Sequence, residues 1–169
     1  MGSFESKPVD TKEFRRALSR FATGVAVVTG VGAEGHPFGM TVSSLNSVSV
    51  EPPLLLFSIA RTAVSLPRWT NTRAIGISVL EHSQRDLSDR FARAQSDKWA
   101  GCDYSPGENG APLLSQAIAH FECAPYAQYE GGDHLIFLVH VRRFANLVEG
   151  RPLIFFRGGY HSLAQDLVA

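Results

Sequence analysis

Residues 38–65, FGMTVSSLNSVSVEPPLLLFSIARTAVS, contain two apolar strand-like runs that are separated by a hydroxyl-rich segment and a Pro-Pro break. Small hydroxyl side chains are concentrated between the runs, at Thr41, Ser43, Ser44, Ser47 and Ser49. A strand that carries serine where valine or isoleucine would pack gives up burial, which suggests that hydroxyls and backbone groups face a ligand. The alternative is a polar edge strand followed by a Ser/Asn turn, and this stretch alone does not separate the two.

The rest of the chain predicts more strands than helices. β-Branched or apolar runs predict strands at 24–31, 40–45, 53–59, 74–80, 118–129, 134–147 and 152–157. These strands follow one another without βαβ alternation, so we expect a mainly antiparallel sheet. Six or more such strands with few helices predict a closed or split β-barrel.

Three helices are predicted. In the first, Asp10 and Glu13 have the spacing of a capping box. It continues with an apolar stripe at i, i+3, i+4 and i+7, which we expect to lie on the core: Phe14, Ala17, Leu18 and Phe21. A short helix is predicted at 63–70 and an amphipathic one at 82–93. Residues 95–112, rich in Gly, Pro and Asn, are predicted to form a long loop.

Composition limits the class of protein. The chain has 169 residues, 44% hydrophobic and 19% charged, with a net charge of zero. We expect one globular domain over 10–169 after a flexible arm at 1–9. Zero net charge argues against a nucleic-acid surface, which needs a basic excess. The two cysteines show no metal spacing, and no apolar run approaches the ~18 residues of a membrane span. No signal peptide is evident, so a cytoplasmic protein is expected.

One motif is rejected. Residues 30–35, GVGAEG, match the GxGxxG pattern of dinucleotide-binding folds and follow a strand. That fingerprint needs a helix to begin at its last glycine, so that the amides of the first turn face the pyrophosphate. Here HPFG follows, and then another strand. The glycines therefore predict a hairpin turn.

Two groups of residues carry possible chemistry. His134 follows Asp133 at the turn of the long predicted hairpin, where it can hydrogen-bond a ligand or supply a proton near neutral pH. Arg61 and Ser65 flank the start of the short helix, and a cation, hydroxyls and helix amides suit a phosphate. Lys98 can add a second positive charge if the fold brings it there. The alternative is an ordinary helix cap at Thr62 with an exposed arginine. No metal-ligand spacing and no GxSxG motif is present.

Six segments together resemble the short-chain flavin reductase family, the reductase components of two-component flavin-dependent monooxygenases. The resemblance covers residues 14–163. In chain order the segments are FATGVAVVT (21–29), GMTVSSLNSVSVEPPLLLF (39–57), ARTAVS (60–65), DKW (97–99), GGDHLIF (131–137) and FFRGGYHSL (155–163).

The resemblance implies a fold and an activity. The implied fold is a flavin-binding antiparallel split β-barrel, usually a homodimer. The implied reaction is hydride transfer from the nicotinamide C4 of NADH or NADPH to N5 of FMN or FAD, and the reduced flavin then passes to a separate monooxygenase. A non-catalytic flavin-binding or electron-relay protein and a pyridoxamine-phosphate-type oxidase are the alternatives on the same barrel.

The resemblance also implies site residues. The flavin ring is expected to contact the hydroxyl-rich strand, at Thr41, Val42, Ser43, Ser44 and Ser47. The ribityl and phosphate end is expected to contact Ser58, Ile59, Ala60, Arg61, Ser65, Phe91 and Lys98. The nicotinamide nucleotide is expected at Gly132, Asp133 and His134, with Tyr160 near the nicotinamide. His134 is assigned first to positioning the nucleotide and second to supplying a proton, as the one candidate catalytic residue.

Overall fold

The computed structural model describes residues 9–94, 97–147 and 149–163, and more of them lie in β-strands than in helices. The strands are β1 (Thr23–Gly24), β2 (Ala26–Val31), β3 (Pro37–Val42), β4 (Asn46–Val50), β5 (Pro53–Ala60), β6 (Ile75–Val79), β7 (Tyr104–Pro106), β8 (Pro112–Leu114), β9 (Ala119–Gly131), β10 (His134–Asn146), β11 (Ile154–Phe156) and β12 (Gly159–His161). The α-helices are α1 (Thr11–Leu18), α2 (Leu66–Asn71) and α3 (Arg85–Ala92), and a 3-10 turn, His82–Gln84, precedes α3. All but Val9 of the predicted N-terminal arm lies outside the described residues.

The main sheet has seven antiparallel strands in the order β3-β2-β6-β9-β10-β5-β4. Its two edge strands, β3 and β4, are consecutive in the chain and are joined by residues 43–45. Because so short a link cannot span a flat seven-stranded sheet, the sheet curves until its edges approach each other. The predicted antiparallel split barrel is confirmed, and its split lies at the hydroxyl-rich segment.

Two apolar clusters stabilise the barrel. One lies inside it, where the ring of Phe57 stacks on Phe137 with centroids 5.3 Å apart and meets the edge of Trp69 at 5.8 Å. The second lies between the barrel and α3 and includes Phe91. Strand β2 separates them, with Val28 in the first cluster and Val27 in the second. Burial on both faces explains why its sequence is a continuous β-branched run.

Most predicted elements are confirmed, with shifted ends. The long hairpin is β9–β10. The expected hairpin turn lies at residues 32–36 between β2 and β3, where Gly35 has a φ of 77° that favours glycine. Three details were wrong. The predicted strand 24–31 is interrupted at Val25, the helix expected at 63–70 begins at Leu66, and the expected loop at 95–112 contains β7 and the start of β8.

The prediction for α1 was also wrong in one respect. Asp10 caps the helix, accepting from the backbone N–H of Lys12 at 2.8 Å. However, Phe14, Leu18 and Phe21 are 52%, 55% and 76% exposed, and no residue of α1 is buried. The stripe does not lie on the core because the helix lies outside the barrel, where its C-terminal end contacts the β11–β12 turn.

Candidate active site

A cleft with a volume of about 610 Å³ lies between β3, the start of α2 and the segment after α3. Phe38, Met40 and Trp99 contribute apolar surface to it. Its polar lining includes three cations and two hydroxyls: Arg68, Arg93, Lys98, Thr62 and Ser65. A pocket of this size with apolar walls and a few convergent polar groups is typical of a site for a small organic ligand. The cations favour a ligand that carries an anionic group.

Lys98 is held at the edge of this cleft by the backbone. Its Nζ donates to the carbonyl oxygen of Phe91 at 2.9 Å and to that of Gly39 at 3.3 Å. Partial burial lowers the pKa of Lys98. An ammonium has three donors, so one remains for a ligand. Phe91 was predicted to contact the flavin, but it is 0% exposed and its ring packs edge-on against Trp99. Its contribution to the site is the backbone carbonyl that accepts from Lys98.

Ser65 precedes α2 and faces the same cleft. Its Oγ accepts from the indole Nε1 of Trp69 at 3.3 Å, which fixes the hydroxyl beside the helix start. The alternative in which Thr62 caps this helix was wrong, because Ser65 is the residue at the cap position. Among the predicted phosphate-end residues, Ser65 and Lys98 are the two that line the cleft.

Arg61 lies elsewhere. Its backbone N–H donates to the carbonyl of Asp133 at 2.9 Å, and its Nε donates to that of Gly132 at 3.0 Å. Its guanidinium also pairs with Glu130. The structure therefore places the Arg61 side chain against the β9–β10 turn, and it does not line the cleft with Ser65 and Lys98, with which the sequence had grouped it. The reason is strand pairing, since β5 and β10 are neighbours and bring Ala60 opposite His134.

The β9–β10 turn also contains the predicted nucleotide residues. His134 Nδ1 lies 2.7 Å from Oδ1 of Asp133. This hydrogen bond and the attraction between the two charges lower the pKa of Asp133. Gly132 has a φ of 72°, which favours glycine at the turn. The turn therefore presents a carboxylate and an imidazole side by side at the surface.

The hydroxyl-rich segment is divided between internal and exposed groups. Thr41 Oγ1 donates to the carbonyl of Ser88 at 2.7 Å, which joins β3 to α3. Ser44 Oγ accepts from the backbone N–H of Ser58 at 3.0 Å, which joins the link between β3 and β4 to β5. Ser43 and Ser47 are exposed. By contrast Val42 and Ile59 are buried, so any contact that they make with a ligand is through their backbone.

A network around Tyr160 was not predicted. The Tyr160 hydroxyl donates to Oδ1 of Asp89 at 3.0 Å and lies 2.9 Å from Oγ of Ser88. The Arg85 guanidinium lies 5.6 Å from the centre of the Tyr160 ring. Burial and the bond to Asp89 raise the pKa of Tyr160. With Thr41, the network joins β3, α3 and β12. The sequence holds no signal for it, because Ser88 and Asp89 read as ordinary polar positions of an amphipathic helix.

Comparison with known proteins identifies the family. A family model described as "Flavin reductase like domain" matches residues 18–164. The chain belongs to the flavin reductase family. The resemblance noted in the sequence is thereby confirmed, and so are the split barrel and its few helices, which recur in solved structures of the family.

Several flavin reductase relatives are similar over most of this chain. One from Rhizobium meliloti, named "Probable flavin reductase", is 40% identical over 89% of this chain, which spans 48% of that relative's length. The reductase subunit HsaB of a flavin-dependent monooxygenase from Rhodococcus jostii is 32% identical over 98% of this chain and 84% of its own. The solved NADH:FAD oxidoreductase SgcE6 of Streptomyces globisporus, in complex with NAD and FAD fragments, is 38% identical, with a TM-score of 0.88 over 96% of this chain and 99% of its own.

The residues of this flavin reductase fit a flavin. The cleft offers apolar walls for a ring system and cations for a phosphate. The hydroxyl-rich segment after β3 offers the exposed hydroxyls of Ser43 and Ser47. Among the described residues, no group of three or more His, Cys, Asp or Glu could hold a metal ion. Within the same residues, no helix is long and apolar enough to cross a membrane.

Proposed function

We propose that this protein is an NAD(P)H:flavin oxidoreductase that reduces FMN or FAD and supplies the reduced flavin to a separate monooxygenase. The observation that carries the proposal is the cleft that Arg68, Arg93 and Lys98 line together with apolar residues of β3. A flavin needs both kinds of surface, because it combines an apolar ring system with a phosphate. Relatives whose names state cofactors use NADH and FAD, which favours these two.

The residues of the site hold and orient the reactants. Lys98 directs its remaining donor at the flavin phosphate, supported by the Ser65 hydroxyl and the two arginines. The exposed hydroxyl of Ser43 and the backbone of residues 41–44 orient the flavin ring. A bound flavin accepts a hydride from a reduced nicotinamide, so the protein supplies orientation and exclusion of water rather than a nucleophile. This agrees with the absence of an acid–base pair in the cleft lining described above.

The β9–β10 turn is proposed to position the nicotinamide nucleotide. Asp133 and His134 present an acceptor and an imidazole together, and Arg61 holds the backbone of the turn in place. His134→Ala should therefore raise the KM for NADH more than it weakens flavin binding. The reverse order would contradict this assignment.

A homodimer is proposed as the working assembly. Exposed apolar side chains lie on α1, on the edge strand β4 and on the long hairpin, with Val50 90% and Phe144 70% exposed. Such surfaces favour burial against a second copy of the chain. Near-zero net charge removes one barrier to self-association. Light scattering coupled to size-exclusion chromatography should give twice the chain mass, and a monomer at micromolar concentration would contradict the proposal.

A cytoplasmic location is proposed on the chemistry of the thiols and the reductant. Cys102 and Cys123 are free, and burial and the neighbouring Glu122 raise the pKa of Cys123 to about 12. Unpaired cysteines are typical of a reducing compartment. Reduced nicotinamide nucleotides are produced in the same compartment.

Steady-state turnover tests the function directly. The purified protein is assayed for oxidation of NADH and of NADPH with FMN, FAD and riboflavin in turn. We expect flavin-dependent oxidation with at least one pair. The proposed function is wrong if no combination of nicotinamide nucleotide and flavin gives oxidation of the nucleotide. A flavin that co-purifies but is reduced only by another protein would instead indicate an electron-relay module.

A further inference from the structure

Gly39 lies inside β3 at a position where the backbone does not need a glycine. It pairs with Thr29 of β2 in regular antiparallel register, and its φ lies outside the left-handed region. Glycine inside a strand lowers stability, because it has no side chain to pack and loses more conformational freedom on folding than other residues. A glycine of this kind marks a place where another group approaches the strand closely.

The group that approaches Gly39 is the ring of Phe91, in the last turn of α3. A Cβ at position 39 would lie 2.9 Å from Cε1 and 3.0 Å from Cδ1 of that ring. Carbon atoms in ordinary contact are about 3.5–4.0 Å apart. The ring has little room to turn away, because Phe91 is 0% exposed and packs edge-on against Trp99 with centroids 5.0 Å apart. A side chain at position 39 therefore pushes the end of α3 away from β3.

Lys98 joins the same two elements at the same place. Its Nζ donates to the carbonyl oxygen of Phe91 at 2.9 Å and to that of Gly39 at 3.3 Å. The two residues that meet through a ring and a missing Cβ are thus also the two acceptors of the ammonium. The longer bond already lies at the edge of effective hydrogen-bond geometry. A shift of α3 by about 0.5–1 Å, enough to restore ordinary carbon contacts, would leave Nζ unable to reach both carbonyls.

A second contact between β3 and α3 lies almost one helical turn earlier. Thr41 Oγ1 donates to the carbonyl of Ser88 at 2.7 Å. Ser88 precedes Phe91 by three positions, so this hydrogen bond holds the same end of α3 against the strand. Lys98 and Gly39 both line the cleft, so a change in the distance between β3 and α3 reaches the proposed flavin site through the ammonium.

We propose that Gly39 is a positioning residue: its missing side chain lets α3 approach β3, and that approach places the Lys98 ammonium for a phosphate in the cleft. FMN carries a phosphate where riboflavin carries a hydroxyl, so the expected consequence is a preference for FMN over riboflavin. This inference rests on the proposed function, which assigns the flavin to this cleft. It adds that the preference depends on the fit between β3 and α3 as well as on the charge of Lys98.

The test measures the dissociation constants of FMN and riboflavin by fluorescence titration and takes their ratio. Gly39→Ala should weaken FMN binding about three- to tenfold and should leave riboflavin binding within about twofold of the wild type. In a Lys98→Met background, Gly39→Ala should not change FMN affinity further, because the group that it displaces is absent. Gly24→Ala is the matched control, since its new Cβ meets nothing within 4 Å, and it should change neither constant.

A compensating substitution separates positioning from a loss of stability. Leucine is shorter than phenylalanine, so Gly39→Ala/Phe91→Leu should recover part of the FMN preference that Gly39→Ala loses. A purely structural role predicts the opposite, because Phe91→Leu alone leaves a cavity and adds a second destabilising change. If Gly39→Ala is too unstable to purify, Thr41→Val takes its place. It loosens the same contact without crowding and should lower the FMN preference about two- to threefold.

An unchanged ratio in the variant measured, or equal losses for FMN and riboflavin, would overturn the proposal. Failure of the proposed function gives a different result. If the wild type prefers FMN through Lys98 and Gly39 but oxidises no nicotinamide nucleotide, the reductase activity is wrong and the positioning role stands. If the wild type reduces flavin and Gly39→Ala leaves the ratio unchanged, the function stands and the positioning role is wrong. A wild type that binds neither flavin contradicts both.

Discussion

Replacement of Tyr160 by phenylalanine tests the network that joins β3, α3 and β12. The substitution keeps the ring and removes one hydroxyl, which donates to Asp89 and lies 2.9 Å from Oγ of the buried Ser88. Asp89 is 37% exposed, so water can replace most of what its carboxylate loses. Ser88 cannot be rehydrated in this way. We therefore expect a loss of about 1–2 kcal/mol in the free energy of unfolding.

For a chain of 169 residues, this loss lowers the melting temperature by about 3–6 °C. Ser88→Ala removes the same hydrogen bond from the other side and keeps the Ser88 carbonyl that accepts from Thr41. The double variant should therefore be more stable than the sum of the two single losses implies, by about 1 kcal/mol. Thermal or urea denaturation of the four proteins completes the cycle.

The pH dependence gives a further check on the same residue. The pKa of Tyr160 is raised in the folded protein, whereas in the unfolded chain it is about 10. The contribution of the Tyr160 hydroxyl to the free energy of unfolding is therefore complete below pH ~10 and is lost as the pH rises through the folded-state pKa. The stability difference between wild type and Tyr160→Phe should be constant near neutral pH and should shrink above pH ~10. Additive losses in the cycle, or no loss at neutral pH, would refute the reasoning.

Three further predictions concern other parts of the chain. Gly76→Ala should cost about 1–3 kcal/mol of stability in urea denaturation, because its new Cβ would lie 2.7 Å from a backbone oxygen, whereas Gly24→Ala meets nothing within 4 Å and should be tolerated. Burial would raise the pKa of Glu81, but hydrogen bonds from the next two residues hold it at about 2. The contribution of the Glu81 carboxylate to the free energy of unfolding is present above pH ~4.5 and is lost as the pH falls toward 2. In Glu81→Gln the free energy of unfolding, measured by urea denaturation, should therefore fall less between pH 4.5 and pH 2 than in the wild type. Lys98→Met should weaken FMN binding about tenfold by fluorescence titration, and Lys12→Met, on the exposed face of α1, should not; equal affinities would contradict the assigned role of Lys98.

The barrel could be predicted from sequence because its signals are local. The β9–β10 hairpin and the β-branched run of β2 follow from residue types within a few positions of each other. Local amphipathicity misled at α1, where the apolar stripe indicates a buried face but does not say which surface covers it. In this chain the apolar side chains of the stripe are exposed on the outer surface.

The site could be predicted only in part, since its parts meet through long-range pairing. Ser65 and Lys98 line the cleft as a phosphate site requires. Arg61, four positions before Ser65, is directed instead to the β9–β10 turn because β5 pairs with β10. The contacts of Tyr160 with Ser88 and Asp89 span more than 70 positions. No periodicity in a single sequence indicates a contact of that kind.

Tyr160 follows all seven strands of the main sheet in the sequence, and this order has a consequence for synthesis on the ribosome. Thr41 can reach Ser88 once α3 has emerged, and the sheet can close when β10 follows. The network that unites β3, α3 and β12 waits for residue 160, 72 positions after Ser88. Domains acquire structure progressively as they are translated. A nascent chain can therefore hold most of the barrel before the network around Tyr160 is assembled.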